Sequence, residues 1–221
     1  MTQTLDAAAD RDIRLARPVP RLPAAAGIAA GPLFLAAGLA QGLARDGFDF
    51  TRNALSQLSL GTYGWIQITV FLLTGLLVAC GAIAIRQALH DAPGGTWAPR
   101  LLGAFAASFL LAGVFRADPG AGFPAGAPED RVTSLSAHGA IHLLSGAVGY
   151  LALCAAFLVL ARHFAAHRQR GWALAARLVP VGVIAGFAAS ATTVAAFTAG
   201  AGLGLLGLSA VTARLAFPTR R

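Results

Sequence analysis

Six long runs of apolar residues constrain the fold of this chain more than any other feature. They cover residues 23–44, 63–86, 98–116, 135–161, 174–198 and 199–217. Each run is close to the roughly 20 residues that an α-helix needs to cross a hydrocarbon core of about 30 Å. Because lipid offers no hydrogen bonds, a crossing segment must satisfy its own backbone groups, as a helix does. The sequence therefore predicts an all-α, six-helix transmembrane bundle.

The composition leaves no room for a separate soluble domain. Hydrophobic residues make up 57% of the chain and charged residues only 12%, with a mean hydropathy of +0.68. These values lie outside the range of soluble domains. We expect one transmembrane domain over residues 23–217, preceded by a disordered cytoplasmic tail over residues 1–22, which is mixed in charge and contains proline. Residues 218–221 form a short C-terminal tail.

The distribution of arginine predicts the orientation. All 17 basic residues are Arg, and 13 of them lie in the two tails or near the second and fourth loops. The other side holds only Arg45, Arg52, Arg116 and Arg131. The positive-inside rule then places both termini in the cytoplasm and the protein in the inner (plasma) membrane, as a multi-pass protein. The net charge of +8 reflects this topology, so no nucleic-acid partner is expected.

Membrane lipid is the expected partner of the basic side. The stretch "ARHFAAHRQRGW", residues 161–172, predicts that the fourth helix extends into the cytoplasm. Its arginines would contact anionic headgroups there, at about 1 kcal/mol each.

The first outer loop, "RDGFDFTRNALSQLSLGTYGW", alternates apolar and polar residues. This pattern predicts a short helix that either lies at the membrane interface or folds back over the mouth of the bundle as a lid. If the loop is a lid, its polar residues Arg52, Asn53 and Ser56 are candidates to line a pocket beneath it.

A second polar group spans the end of the third run and the start of the fourth. Arg116 and Asp118 end the third run, and His138 and His142 lie at i and i+4 near the start of the fourth. Antiparallel packing would bring Asp118 and His142 to a similar depth. We expect them to line one outward-facing cavity, with Arg52 or Arg116 compensating the carboxylate, because an unpaired charge near hydrocarbon is costly.

Two function classes fit these residues. The first is a protein of unknown activity whose extracytoplasmic polar pocket binds or moves a lipid or another small amphiphile, with no cofactor. The alternative is an intramembrane metal-dependent hydrolase in which Asp118, His138 and His142 hold Zn²⁺, which normally takes three or four protein ligands. Whether the chain is an enzyme stays open, and so does its oligomeric state.

Three stretches resemble the domain of unknown function 998 family of bacterial and archaeal membrane proteins. They are "RNALSQLSLGTYGWIQITVFLLTGLL", "GVFRADPGAGFPAGAP" and "HGAIHLLSGAVGYLALCAAFLVLARHF". The resemblance implies six helices and an integral membrane location, but no activity. The family-type positions that it carries over are Ser56, Gly64, Trp65, Asp118, Pro119, Phe123, Pro124, Gly139 and His142.

Overall fold

The computed structural model describes residues 21–90, 92–130 and 134–217. Within these residues it contains six helices long and apolar enough to cross a membrane. They are α1 (Arg21–Ala44), α2 (Gly64–Ala88), α3 (Trp97–Val114), α4 (Ala137–Ala166), α5 (Arg170–Ala189) and α6 (Val194–Ala216). The chain is thus an all-helical, multi-pass membrane protein, as predicted from its apolar runs.

The helices form a closed ring in chain order. Each packs against the next, and α6 returns to pack against α1. Two ends result. The loop end carries residues 45–63, 115–130 and 134–136, and the termini end carries residues 89–90, 92–96 and 167–169 together with the outermost residues of α1 and α6.

Small residues set how closely the helices approach. A Cβ added to Gly27 of α1 would lie 2.5 Å from the Cα of Gly81 in α2, and one added to Gly200 of α6 would lie 3.0 Å from the Cα of Gly186 in α5. These crossings therefore bring backbone against backbone. Such contacts stabilise helix pairs in lipid, where the hydrophobic effect does not.

The core is aromatic toward the loop end and mainly aliphatic toward the termini end. Phe34, Phe71 and Phe109 pack ring against ring with centroids 5.2 to 5.8 Å apart. Deeper in the bundle, Leu153 and Leu205 are almost fully buried. Exposed aromatic residues mark both ends, with Tyr63 and Trp65 at the loop end and Trp97 at the termini end, as membrane interfaces favour.

Residues 45–63 pack onto the bundle. They contain a short 3₁₀ helix, Leu55–Ser59, in which Leu55 and Leu58 are buried. The connection from α5 to α6 joins the same assembly, because the amide of Val194 donates to the carbonyl of Thr51 at 2.9 Å.

The break between the fifth and sixth helices differs most from the sequence prediction. Helix α5 ends at Ala189 and α6 begins at Val194, whereas the apolar run placed this break at residue 198. Thr193 explains the earlier start, since its hydroxyl caps α6 by accepting from the amide of Ala195 at 3.3 Å. Helix α1 begins at Arg21, while the rest of the predicted N-terminal tail and residues 218–221 lie outside the described residues.

Candidate functional site

A cavity of about 400 Å³ lies inside the loop end of the ring. All six helices and residues 54–56 contribute to its wall. The aromatic and larger apolar lining residues are Phe34, Leu35, Leu55, Phe71, Phe109, Leu143, Tyr150, Phe187, Val194 and Phe197. Its volume falls within the range of about 300 to 1,000 Å³ that is typical of small-molecule sites.

The cavity reaches toward the middle of the bundle. Its wall runs from His142 to Tyr150 on α4 and from Val194 to Gly202 on α6, which corresponds to about 12 Å along each helix. Tyr150 lies at the deep end, where its hydroxyl donates to the carbonyl of Ala201 at 3.4 Å. The buried side chains below it close the bundle.

One side of the cavity lies beside exposed residues of α4. Leu143 lines the cavity and is nevertheless 60% exposed. One turn further along α4, Gly146 also lines the cavity, and a Cβ added there would meet no atom within 4 Å. The wall beside α4 is therefore thin and open.

His142 is the main polar group on the wall. Its Nδ1 lies 2.8 Å from the carbonyl oxygen of Phe115. Because a carbonyl only accepts, Nδ1 carries the proton, and a neutral ring then has its lone pair on Nε2. The hydroxyls of Ser108 and Ser190 also line the cavity, and each donates to a carbonyl of its own helix. The polar chemistry of the wall is thus sparse and consists of neutral groups.

Asp118 lies outside the lining of this cavity and joins the segment after α3 to the start of α4. Its carboxylate accepts from the hydroxyl of Ser136 at 2.5 Å and from the amide of Ser136 at 2.9 Å. Ser136 in turn caps α4 by accepting from the amide of Gly139 at 3.0 Å. A side chain at Gly139 would collide with the carboxylate. Asp118 therefore fixes the N-terminus of α4.

Arg52 and Arg116 do not compensate Asp118 in the arrangement that the sequence suggested. The guanidinium of Arg52 is 3.1 Å from a carboxylate oxygen of Glu129 and also donates to its backbone carbonyl at 2.8 Å. Arg116 is exposed and is not among the cavity-lining residues. The reason is geometric, because Asp118 is already satisfied by a hydroxyl and an amide close by in the fold.

Asn53 is fully buried beneath the loops rather than in the cavity wall. Its side-chain oxygen accepts from the amide of Asp49 at 2.9 Å, and its amide nitrogen donates to the carbonyl of Ala121 at 3.2 Å. Gln57 donates to the neighbouring carbonyl of Gly120 at 3.1 Å. These two amides join residues 45–63 to the segment that follows α3.

Arg45 connects several parts of the loop end, and the sequence analysis did not single it out. Its guanidinium donates to the carbonyls of Leu58 and Leu60, both at 2.6 Å, and lies 5.1 Å from the ring centre of Phe123. Partial burial lowers the pKa of Arg45 from its usual value, against a smaller opposing effect of Tyr63. A guanidinium nevertheless stays charged. Its position directly after α1, on the side with few arginines, is the only sequence signal for this role.

Each predicted metal ligand makes a different contact in the structure. His138 is exposed and packs edge-on against the Phe115 ring at 5.3 Å, while Asp118 is engaged by Ser136. Throughout residues 21–90, 92–130 and 134–217, no three His, Cys, Asp or Glu side chains are placed to hold a metal ion.

Comparison with known proteins places the chain among relatives of unknown activity. The model of a family described as "Protein of unknown function (DUF998)" matches residues 28–218. The chain belongs to this family. Curated proteins and solved structures provide no match.

Several of the DUF998-type positions noted in the sequence have structural roles here. Phe123 is buried under Arg45, and the Phe123–Pro124 peptide bond is cis. Gly64 lies against the carbonyl of Ser59, where a side chain would collide with backbone. Only Ser56 and His142 of these positions line the cavity. Most of the others build the loop end that surrounds it.

Proposed function

We propose that the protein binds the apolar chain of a lipid, or another small amphiphile, in the cavity at the loop end. The observation that carries this proposal is an apolar cavity of about 400 Å³ inside a membrane bundle, with a lining residue that is exposed on the lipid-facing side. A hydrocarbon chain entering past Leu143 would replace lipid contacts with contacts to aromatic side chains.

The polar end of the ligand would lie near His142 and Ser56. With its proton on Nδ1, a neutral His142 has an acceptor nitrogen that suits a hydroxyl or amide donor. Ser56, on the loop segment above, offers a hydroxyl that donates or accepts. This chemistry favours an amphiphile with a small neutral polar group over one with a bare charge, because the wall has no ionised side chain to pair with a charge.

The loop segment 45–63 serves as the lid in this proposal. Ala54, Leu55 and Ser56 form part of the cavity wall, and Leu55 and Leu58 are buried against the bundle. Cysteine at Leu55 or Leu58 should react with an impermeant maleimide more slowly than cysteine at the exposed Asp46. Equal rates would contradict the lid.

The same proposal places the loop end outside the cytoplasm, in the inner membrane. The support is the excess of arginine at the termini end. A reporter enzyme that is active only outside the cytoplasm should stay silent when fused after Arg221. Activity at that position would reverse the orientation.

Filling the cavity tests the binding itself. Gly146→Leu places a side chain in open space on the cavity wall, and Gly103→Leu places one in open space on the exposed side of α3. Each protein would be purified in mild detergent, and native mass spectrometry would record retained lipid. Binding of an environment-sensitive fluorescent fatty acid would be measured in parallel.

We expect the wild type and Gly103→Leu to retain an amphiphile and bind the fatty acid, and Gly146→Leu to lose at least about 90% of both. A tenfold loss corresponds to about 1.4 kcal/mol. Equal binding by Gly146→Leu and Gly103→Leu would overturn the proposal, as would a wild type that binds neither.

A further inference from the structure

A second candidate site lies at the termini end, around the turn between α4 and α5. Two depressions of about 830 Å³ and about 550 Å³ share Arg168 and Arg170 in their walls. Arg214 of α6 completes the first depression, and Arg177 of α5 completes the second. Four guanidinium groups thus surround one surface region.

This region has no carboxylate of its own within the described part of the chain. In the whole described part of the chain, the acidic residues are Asp46, Asp49, Asp118, Glu129 and Asp130. All of them lie at the loop end, across the thickness of the bundle from this region. The Debye length at physiological salt is about 8 Å, so these charges are too distant to neutralise the arginines. Among the described residues, the four guanidinium groups therefore have no nearby carboxylate to pair with.

Arg168 occupies a backbone position that normally favours glycine. Its φ is 56°, and it follows the last residues of α4 in a Schellman turn. The two bonds of that turn run from the amide of Arg168 to the carbonyl of Ala165 at 3.0 Å and from the amide of Gln169 to the carbonyl of Phe164 at 2.9 Å. A left-handed conformation is unfavourable for a residue with a Cβ. The backbone conformation of this turn thus disfavours Arg168, which lines both depressions.

Arg170 is also locally disfavoured. It is the first residue of α5, where the partial positive charge of the helix N-terminus repels a cation. Gln169, the N-cap, makes no side-chain capping bond, and the first turn of α5 contains no acidic residue. An anion placed here would meet uncapped backbone amides as well as guanidinium groups, which is a favourable environment for phosphate.

We propose that Arg168, Arg170 and Arg214 form a phosphate-binding site, with Arg177 extending it along α5. A bound phosphate group would pair with the guanidinium groups of Arg168 and Arg170 and would offset the repulsion between Arg170 and the N-terminus of α5. Leu174 lines the second depression and is 55% exposed, so an acyl chain can lie beside the phosphate. The favoured occupant is accordingly the headgroup phosphate of an anionic phospholipid.

The test uses the full chain in neutral detergent and native mass spectrometry. Phosphatidylglycerol and phosphatidylcholine of equal chain length are titrated separately, and inorganic phosphate is titrated in a third series with melting temperature as the readout. We expect phosphatidylglycerol to bind at least about tenfold more tightly than phosphatidylcholine, because each arginine near an anionic headgroup adds to the attraction. Stabilisation by inorganic phosphate without a lipid preference would support the phosphate site and identify a free anion as the occupant.

Variants distinguish a specific phosphate site from nonspecific attraction by surface charge and from a purely structural role of the arginines. Arg168→Gly and Arg170→Gln should each lose most of the preference, while Arg168→Gly melts at the same or a higher temperature in phosphatidylcholine. Arg100→Gln is the control, because Arg100 lies on α3 over the Trp97 ring and outside both depressions. No preference in the wild type and no effect of phosphate would overturn the proposal. So would an equal loss in Arg100→Gln.

Discussion

At the loop end, ionised side chains mostly bond to nearby backbone groups, whereas at the termini end four arginines line open depressions. Arg45 donates to two carbonyls and Asp118 accepts from an amide and a hydroxyl. Arg168 and Arg170, by contrast, line two depressions in a region whose described residues include no carboxylate. The sparse charges thus hold the loops together, whereas the arginines at the termini end line depressions that have no carboxylate among the described residues.

The largest expected effect is the loss of Arg45. Arg45→Ala leaves the carbonyls of Leu58 and Leu60 without their charged donor and removes the cation over Phe123. Hydrogen bonds to charged groups contribute about 1.5 to 3 kcal/mol each, so we expect a loss of about 3 kcal/mol in the free energy of unfolding. Denaturant unfolding in detergent measures it.

Arg100→Ala at the termini end is the control for Arg45→Ala. It removes one cation–π contact, with Trp97, and should cost less than about 1 kcal/mol. Similar losses of unfolding free energy in the two variants would contradict the difference between the loop end and the termini end.

Asp118→Ala should have the next largest effect. It removes both bonds to Ser136 and loosens the cap of α4, so we expect a loss of about 2 kcal/mol in the free energy of unfolding. Fatty-acid binding per folded molecule should stay unchanged, because Asp118 is not part of the cavity wall. Asp130, an exposed carboxylate at the same end, provides the control. Asp130→Ala should change neither the free energy of unfolding nor fatty-acid binding. If Asp118→Ala lost fatty-acid binding without losing stability, Asp118 would be part of the binding site.

The apolar runs were enough to predict the six helices, because each run had to satisfy its backbone internally. Their ends were harder to predict. The start of α6 depends on the capping hydroxyl of Thr193, and the hydrophobic pattern does not register a single cap. The sequence stretch "ATTV" contains that signal, but apolar residues on both sides obscure it.

The cavity was predictable only in part. Ser56 and His142 line it, whereas Arg52, Asn53, Arg116 and Asp118 do not. For Arg52, Asn53 and Asp118 the reason is that their partners include backbone carbonyls and amides, which no sequence pattern distinguishes. Arg45 illustrates this limit, since both of its hydrogen-bond acceptors are carbonyls.

At the termini end, Arg168→Gly should raise stability. Glycine adopts the left-handed conformation without the penalty of about 1 to 2 kcal/mol, although its extra freedom when unfolded offsets part of the gain. We expect a net increase of about 1 kcal/mol in the free energy of unfolding, measured in phosphatidylcholine to keep anionic lipid absent.

Ala121 at the loop end is the matched position for Arg168→Gly, since its φ is 54°. Its methyl group is buried, and burial of such a group contributes about 0.8 kcal/mol, so Ala121→Gly should gain little or nothing. A destabilised Arg168→Gly would show that the arginine side chain supports the turn and would weaken the phosphate proposal.

The smallest effect is expected for the ion pair between Arg52 and Glu129, which joins the two loop segments. The side chains are 47% and 81% exposed, and exposed pairs contribute about 0.2 to 1 kcal/mol. Arg52→Ala removes this pair together with the exposed hydrogen bond to the Glu129 carbonyl, so it should cost about 1 kcal/mol in all. The part due to the ion pair should shrink from about 0.1 M to about 1 M salt, as the Debye length falls from about 10 Å to about 3 Å. A double-mutant cycle with Glu129→Gln measures the coupling.

A weak ion pair at this position suits the proposed lid, because it can break without disturbing the bonds of Arg45 and Asp118. Arg52→Ala should therefore also speed maleimide labelling of a cysteine at Leu55. A loss above about 2 kcal/mol that salt does not change would mean that the pair is a fixed part of the loop end.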